Sequence, residues 1–297
     1  MRVAVPTLTV RQALAQASLA PIDAQVLLAH VLGVGRAWLA AHATDSLTPH
    51  DVEAFFTLAR RRRDGEPVAY LTGTREFFGL PLAVDRSVLI PRPETETLVE
   101  CALRALPREQ RLRVLDLGTG SGAIALAIAH ERPHVEVIGI DTSAAALGVA
   151  IRNAERMKLA NVGWLQSDWY DGLEEGGAPF DLIASNPPYV ADGDPHLGEG
   201  DLRFEPAGAL RAGPDGLLAL RVVVAGAPAR LVPGGALVVE HGFDQAEAVR
   251  GLVAAAGLEN PRTFRDLAGI PRVCVAIKPS SSQAQRKSHL DSTLLNT

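Results

Sequence analysis

The sequence has few cysteines, and none of them fall in a metal-binding pattern. Its two cysteines, Cys101 and Cys274, stand far apart in unrelated surroundings, without a CxxC pair or a His/Cys cluster. This argues against both a disulfide framework and a structural zinc site. We interpret the two thiols as small buried groups in a reducing compartment and expect no metal cofactor.

Long apolar runs and an excess of positive charge are also missing. Apolar residues never approach the ~18 consecutive positions of a membrane span. The first residues lack the apolar stretch of a signal peptide, so we expect a cytoplasmic protein without membrane contact. The net charge of −5, from 29 basic and 34 acidic residues, argues against a large sequence-independent nucleic-acid surface.

The chain of 297 residues is long enough for two domains. Apolar residues at helical spacing predict helices from about residue 7 to residue 63. The four arginines 60–63 are interpreted as a solvated helix end that complements the helix dipole, with a binding patch as the alternative. Residues 68–90 predict a strand hairpin. Residues 280–297 have no core pattern and are predicted to be disordered.

Strand and helix patterns alternate from Arg113 onward. Such alternation predicts an α/β fold with a doubly wound, mostly parallel sheet. In these sheets, ligands bind beyond the carboxyl ends of the strands. The motifs that carry chemistry should therefore follow strands, and three of them do.

The first motif is a glycine-rich loop after the first strand of this region. Asp116 precedes it, and Asp141 ends the next strand, where a carboxylate can accept both ribose hydroxyls of a nucleoside. The spacing is G-x-G-x-G, whereas a pyrophosphate site favours G-x-G-x-x-G. Asp116 also suits a cationic amino-acid ligand better than a diphosphate. A dinucleotide oxidoreductase and a plain strand-to-helix turn are the alternatives. The loop residues are Gly118, Thr119, Gly120, Ser121 and Gly122.

The second motif, Asp168 and Trp169, follows the third strand of the region. In a sheet of this order, the loop lies beside an adenine ring. Asp168 can accept a hydrogen bond from the adenine amino group, and Trp169 can lie against the ring. A turn acid and a core aromatic residue remain an equally good interpretation of this pair.

The third and most specific motif consists of Asn186, Pro187, Pro188 and Tyr189 at the end of a strand. The prolines fix the backbone and remove two N–H donors. The Asn186 side-chain oxygen and the Pro187 carbonyl then offer two acceptors to a planar –NH2 group. Such acceptors raise electron density on a poorly nucleophilic amide nitrogen and aim it, so that positioning and electrostatics do the catalytic work.

Together these motifs resemble class I S-adenosylmethionine methyltransferases that act on planar –NH2 groups. The chain from about residue 20 to residue 278 is similar to the bacterial peptide chain release factor N5-glutamine methyltransferases. The stretch after Pro279 is not matched. Further segments that carry the resemblance are residues 61–67, 77–80, 89–96, 194–197, 203–206 and 240–242.

The resemblance implies three parts: a helical substrate-docking domain (1–66), a β-hairpin linker (67–92) and a methyltransferase domain (93–279). It implies S-adenosylmethionine as cofactor and class-1 release factors as partners, with a monomeric enzyme that needs no direct nucleic-acid contact. The glycine loop, Asp141 and Trp169 would bind the cofactor, with Asp168 and Asn186 beside them. Residues 186–189 would hold the glutamine, and catalysis would rest on Asn186, Pro187 and Tyr189.

Two other functions remain open at this point. One is methylation of a ribosomal-protein glutamine, although residues 194–197 and 203–206 favour the release-factor type. The other is adenine-N6 or guanine methylation of nucleic acid, which would require a flipped base and fits the acidic charge balance poorly.

Several charged residues have two interpretations each. Arg92 and Glu94 could form a pocket wall or an inter-domain salt bridge, and Glu240 could line the pocket or form a solvated strand end. His196 and His241 have no spaced carboxylate or cysteine partner in the sequence, so we interpret both as structural or loop histidines.

Overall fold

A computed structural model describes residues 8–280 of the chain. Within this range the chain divides into two compact units. The first unit comprises residues 8–74 and 198–204, and the second comprises residues 75–197 and 205–280. The predicted disorder of the C-terminal stretch falls, except for Ser280, outside the described residues. The predicted boundaries at residues 66 and 92 stay predictions.

The first unit is helical, as its apolar spacing predicts. Leu27, Leu28 and Phe55 are buried at its centre. The helix α4 begins as expected, with Thr48 as N-cap accepting from the Asp51 N–H and proline at the first turn. The helices are α1 (Val10–Gln16), α2 (Pro21–Leu32), α3 (Arg36–Ala41), α4 (Pro49–Arg63) and α5 (Val68–Thr72).

The arginines at the end of α4 are more than a solvated helix end. Arg62 forms ion pairs with Asp23 and Asp201, both at 2.8 Å. Arg61 pairs with the buried Glu66 at 2.7 Å, and Arg63 donates to the Ala17 carbonyl oxygen. These arginines therefore hold segments of the first unit together.

The predicted hairpin is shorter than the sequence suggested, because its first five residues form a helix. Pro67 precedes α5, and Gly73, with φ +70°, ends it in the left-handed conformation that favours glycine. Only β1 (Thr74–Phe77) and β2 (Leu80–Ala83) are strands. Their buried side chains Phe77 and Leu82 belong to the same hydrophobic cluster as the central sheet of the second unit.

The second unit is built around a seven-stranded sheet in the order β5-β4-β3-β6-β7-β9-β8. Strands β3, β4, β5, β6 and β7 are parallel, and β9 runs antiparallel to both of its neighbours. The doubly wound, mostly parallel sheet is thus confirmed. The strands are β3 (Arg113–Leu117), β4 (Glu136–Asp141), β5 (Val162–Gln166), β6 (Phe180–Ser185), β7 (Leu231–Glu240), β8 (Glu259–Arg265) and β9 (Pro271–Ile277).

Two hydrophobic clusters cover the faces of the sheet, one on each side. The helix α7 is buried over nearly its whole circumference, which explains its Ala/Ile/Leu composition. The loops of the chain contain short 3-10 helices at Pro93–Thr95, Pro195–Gly198, Leu202–Phe204 and Ala207–Ala209. The α-helices of the second unit are α6 (Glu96–Ala105), α7 (Ala123–Glu131), α8 (Ala144–Met157), α9 (Leu218–Arg230) and α10 (Ala246–Ala255).

Candidate active site

A cavity opens at the point where the order of consecutive strands in the sheet reverses. From β3 the chain proceeds outward to β4 and β5, then returns to the other side of β3 as β6 and continues to β7. Ligands of open α/β sheets bind at this kind of switch point, beyond the carboxyl ends of the strands. The cavity has a volume of about 220 Å³. Predicted site residues in its wall are Gly118, Gly120, Asp141, Trp169, Asn186 and Pro188.

The glycine loop joins β3 to α7 and is fixed by Asp141. One carboxylate oxygen of Asp141 accepts from the Gly120 N–H at 2.9 Å, and the other accepts from the Ser143 N–H at 2.9 Å. Gly118 and Gly120 have φ values of +72° and +56°, which glycine adopts without strain. The loop backbone and the acid of the neighbouring strand thus meet at one wall of the cavity.

Asp116, at the base of this loop, is fully buried. Its Oδ2 accepts from the Thr119 hydroxyl at 2.6 Å and from the Ala125 N–H at 3.1 Å. Its Oδ1 has no hydrogen-bond partner among residues 8–280. Burial raises the pKa of Asp116 to about 7, against the hydrogen bonds from Thr119 and Ala125 that lower it. A nearby cation would therefore stabilise the ionised form.

The structure separates the two residues of the second motif. Trp169 lines the cavity, and its ring would lie 3.7 Å from a Cβ added at Gly118. The same ring is partly buried against a core cluster, so the interpretation as a core aromatic residue holds in part, and its role beside an adenine ring stays a prediction. Asp168 is exposed and lines a neighbouring groove that Trp169 and Pro188 share.

Three loop residues predicted to touch the cofactor do not line the cavity. Thr119 and Ser121 are buried within the loop, and Gly122 is the N-cap of α7. A Cβ at Gly122 would lie 3.0 Å from Leu126 and from Trp164. Their place in the structure is to support the loop.

Asn186 directly follows β6, and its amide group has a defined orientation. Its Nδ2 donates to the Thr95 hydroxyl at 3.0 Å, so Oδ1 is directed away from Thr95. Within the described residues, no donor contacts the Pro187 carbonyl. Ser185, the last residue of β6, donates to the Leu117 carbonyl at 2.7 Å and ties this strand end to β3. Two unused acceptors therefore stand next to each other in the chain.

Tyr189 packs behind this turn, and its hydroxyl donates to Glu240 Oε1 at 3.2 Å. The alternative that Glu240 is a solvated strand end is wrong, because the residue is only 1% exposed. Burial raises the pKa of Glu240 to about 7, whereas the hydroxyls of Thr95 and Tyr189 lower it. Burial and the charge of Glu240 also raise the pKa of the Tyr189 hydroxyl.

Three residues that hold this site together were not predicted as site residues from the sequence. Gln245 donates to the Tyr189 and Gly216 carbonyls at 3.0 and 3.2 Å and accepts from the Gly242 N–H at 2.8 Å. Asn153, fully buried on α8, exchanges hydrogen bonds with the Ala83 backbone and donates to the Ser121 carbonyl. Thr95 is the third. Each acts across a long sequence separation, which no local pattern reveals.

Arg92 forms a salt bridge, but not between domains. It pairs with the buried carboxylate of Glu205, and both residues belong to the second unit. Glu205 also accepts from the Ile90 N–H at 3.3 Å. Glu94 contributes a negative charge that raises the pKa of Glu240.

The two histidines differ in their surroundings. His241 is buried and contacts the Gly242 carbonyl through Nδ1 at 2.8 Å. Contrary to the interpretation of the sequence, His196 has a carboxylate partner, because the His196 Nδ1 lies 2.7 Å from Asp194 Oδ1. That contact is exposed, as expected for a loop histidine.

Within residues 8–280, no cluster of three or more His, Cys, Asp or Glu side chains has the geometry to hold a metal ion. None of the helices in that part of the chain has the length and apolarity to cross a membrane.

Comparison with known proteins gives consistent results. The chain matches the family models of the PrmC N-terminal domain over residues 9–73 and of a methyltransferase domain over residues 108–251. A Bordetella pertussis protein named release factor glutamine methyltransferase is 54% identical over 260 residues, covering 88% of this chain and 96% of that protein. An Escherichia coli protein of the same name is 48% identical over 251 residues, covering 84% and 90%.

Among solved structures, a methyltransferase from Pyrococcus furiosus has a TM-score of 0.51 and 18% identity, covering 74% of this chain and 97% of that one. This likeness concerns the fold alone. The sheet order, the glycine loop at its switch point and the matched domain define a class I methyltransferase. With 54% identity over nearly the whole chain, the protein belongs to the release factor glutamine methyltransferase family.

Proposed function

We propose that this enzyme transfers the methyl group of S-adenosylmethionine to the side-chain amide nitrogen of the glutamine in the Gly-Gly-Gln motif of peptide chain release factors. The observation that carries the proposal is the orientation of Asn186. Its NH2 group is engaged by Thr95, which leaves Asn186 Oδ1 and the Pro187 carbonyl as paired acceptors. This arrangement suits a planar amide that has two N–H hydrogens to donate.

The cavity residues fit S-adenosylmethionine. Asp141 keeps lone pairs for the two ribose hydroxyls while one of its oxygens holds the glycine loop and the other accepts from the Ser143 N–H. Trp169 offers a flat face to the adenine. The unpartnered Asp116 Oδ1 provides a buried negative charge for the ammonium group of the methionine part. When bound, the cofactor supplies a methyl group on a positively charged sulfur, and we expect no metal to take part.

The acceptor residues account for reactivity of an amide nitrogen. Asn186 Oδ1 and the Pro187 carbonyl accept hydrogen bonds from the two N–H groups of the substrate amide. They thereby stabilise the positive charge that develops on the amide nitrogen. Tyr189 is assigned to binding of the planar group, and Pro187 and Pro188 keep the turn rigid. The bound cofactor would supply the methyl group from its sulfonium and would leave as the neutral thioether, and the amide nitrogen would lose one proton to water. The chain itself thus supplies orientation and electrostatics.

The remaining assignments follow from this function. We assign residues 1–66 to docking of the release factor, residues 67–92 to the linker and residues 93–279 to catalysis. The working form is a cytoplasmic monomer that makes no direct contact with nucleic acid. Class-1 release factors are its protein substrates.

Label transfer from methyl-tritiated S-adenosylmethionine tests the proposal. The acceptors are a purified release factor, the same factor with its Gly-Gly-Gln glutamine changed to alanine, ribosomal proteins, and duplex DNA. We expect label on the intact factor alone. Equal label on the alanine form, or label on DNA or ribosomal proteins instead, would refute the assignment.

A further inference from the structure

Thr95 ends a short 3-10 helix, directly before α6, and is only 4% exposed. Its hydroxyl oxygen accepts from Asn186 Nδ2 at 3.0 Å. A buried hydroxyl has one hydrogen to give and two lone pairs to accept with. The direction in which Thr95 points its hydrogen therefore decides which end of the Asn186 amide can face it.

The Thr95 hydroxyl is also within hydrogen-bonding reach of the Glu240 carboxyl, whose pKa it lowers. Glu240 ends β7, is 1% exposed, and holds the Tyr189 hydroxyl on Oε1 at 3.2 Å. Its Oε2 has no hydrogen-bond partner among residues 8–280. Above about pH 7, where Glu240 is ionised, its carboxylate can only accept, and a buried oxygen without a donor is costly. A neighbouring hydroxyl hydrogen is the group that this oxygen requires.

We propose that Thr95 and Glu240 are positioning residues that fix the amide orientation of Asn186. Glu240 draws the Thr95 hydrogen toward itself, so Thr95 presents a lone pair to Asn186. Only the NH2 end of the amide can satisfy that lone pair, and Oδ1 is thereby directed toward the substrate. This inference rests on the proposed function, because it assigns Asn186 the role of acceptor.

The physical need for this relay comes from the symmetry of the asparagine amide. Its oxygen and NH2 ends have nearly the same shape, so packing alone discriminates poorly between them. A flipped Asn186 would present a donor to the donor hydrogens of the substrate amide. Polarity supplied by a buried carboxylate discriminates where shape cannot. The same carboxylate also holds Tyr189, so one side chain orients two residues of the motif.

The experiment is a double-mutant cycle on the full chain, with the release factor as substrate. Thr95→Val keeps the shape but removes the hydroxyl, and Thr95→Ser is the matched control that keeps it. Both are compared with Asn186→Ala and with the Thr95→Val/Asn186→Ala double variant. The readouts are kcat, S-adenosylmethionine affinity by calorimetry, and Tm.

We expect Thr95→Val to lower kcat by about tenfold or more, with cofactor affinity unchanged, and Thr95→Ser to stay near the wild-type kcat. In the Asn186→Ala background, Thr95→Val should cost nothing further, because its effect passes through Asn186. Glu240→Gln should lower kcat by a smaller factor in the Thr95→Val background than in the wild type.

A wild-type kcat in Thr95→Val, an equal loss in Thr95→Ser, or a full additional loss in the double variant would overturn the relay. So would equal losses from Glu240→Gln in both backgrounds. Activity of the wild-type enzyme distinguishes failure of the proposed function from failure of the relay. If it does not label the release factor, the proposed function fails; if it does, these variants judge the relay alone.

Discussion

The two halves of the active site are held in different ways. The cofactor half consists of the loop after β3 and Asp141 at the end of the adjacent strand. A hydrogen bond from the Gly120 N–H to the Asp141 side chain joins them, across only 21 positions of the chain. The acceptor half depends on side chains far away, since Thr95 reaches Asn186 across 91 positions and Glu240 reaches Tyr189 across 51. A short motif can specify the first half, whereas the second forms only when the whole unit has folded.

The largest expected effect is on the acceptor half. Asn186→Ala should lower kcat by about 10²-fold, because a preorganised group that faces developing charge is removed. S-adenosylmethionine affinity should stay close to that of the wild type. Steady-state kinetics and calorimetry on the same preparation measure both quantities. Near-normal turnover would mean that Asn186 is not the acceptor.

Asp141→Ala is the corresponding test of the cofactor half. It should weaken S-adenosylmethionine binding by about tenfold or more, because hydrogen bonds to a carboxylate contribute roughly 1.5–3 kcal/mol. At saturating cofactor, kcat should change much less than in Asn186→Ala. Calorimetric titration measures the affinity. An unchanged dissociation constant would reject ribose binding by Asp141.

Gly216→Ala tests the acceptor half through its effect on the backbone at Tyr189. Gly216 has φ +71°, and an added Cβ would lie 2.5 Å from the Tyr189 carbonyl oxygen and 2.8 Å from Gln245 Nε2. We expect a loss of about 1–3 kcal/mol in the free energy of unfolding and a lower kcat. Denaturant titration and kinetics measure the two effects.

The matched control is Gly251→Ala on α10. Its added Cβ would meet nothing within 4 Å, so helix propensity should stabilise the protein by about 0.5–1 kcal/mol. If the two variants lose equal stability, the close approach of the added Cβ at Gly216 is not the cause of the loss in Gly216→Ala.

The last expected effect is a pH dependence of stability, and it involves one buried acid from each half. The pKa values of Asp116 and Glu240 both rise to about 7 on folding, above their unfolded values of about 4. The folded state therefore binds these protons more tightly, and stability should fall as pH rises from about 4 to about 7. Each group contributes at most about 1.4 kcal/mol per pH unit.

Urea unfolding between pH 5 and pH 8 measures this slope. Asp116→Asn and Glu240→Gln should each flatten it relative to the wild type. Other titrating groups are common to all three proteins and cancel in the comparison. A slope that neither substitution changes would show that the two acids are not protonated in the folded enzyme.

The two halves of the site also differ in how well the sequence predicts them. The alternating pattern from Arg113 onward predicted the doubly wound sheet, and the motifs placed Gly118, Asp141 and Asn186 on one cavity, because strand ends meet at one edge of a parallel sheet. The burial of Glu240 and the roles of Thr95 and Gln245 were not predictable, because each depends on a partner brought close only by the fold.

Two interpretations of the sequence missed tertiary contacts. Residues 68–72 carry aromatic and β-branched side chains that favour a strand, yet Pro67 and Gly73 delimit one helical turn and Leu71 is buried within the first unit. Tertiary packing overrode the weak preference for a strand. The arginines of α4 were interpreted without the distant acid Asp201, which sequence spacing does not connect with them.

The pairing of Arg62 with Asp201 has a consequence for the order in which the protein forms. Residues 198–204 complete the first unit, although 139 positions of chain separate Asp201 from Arg62. During synthesis the amino-terminal helices leave the ribosome long before that segment exists, and closing so long a loop carries an entropic cost. The first unit therefore begins the chain but is completed only after β6 has been made. A fragment that ends at residue 74 would lack part of its own unit.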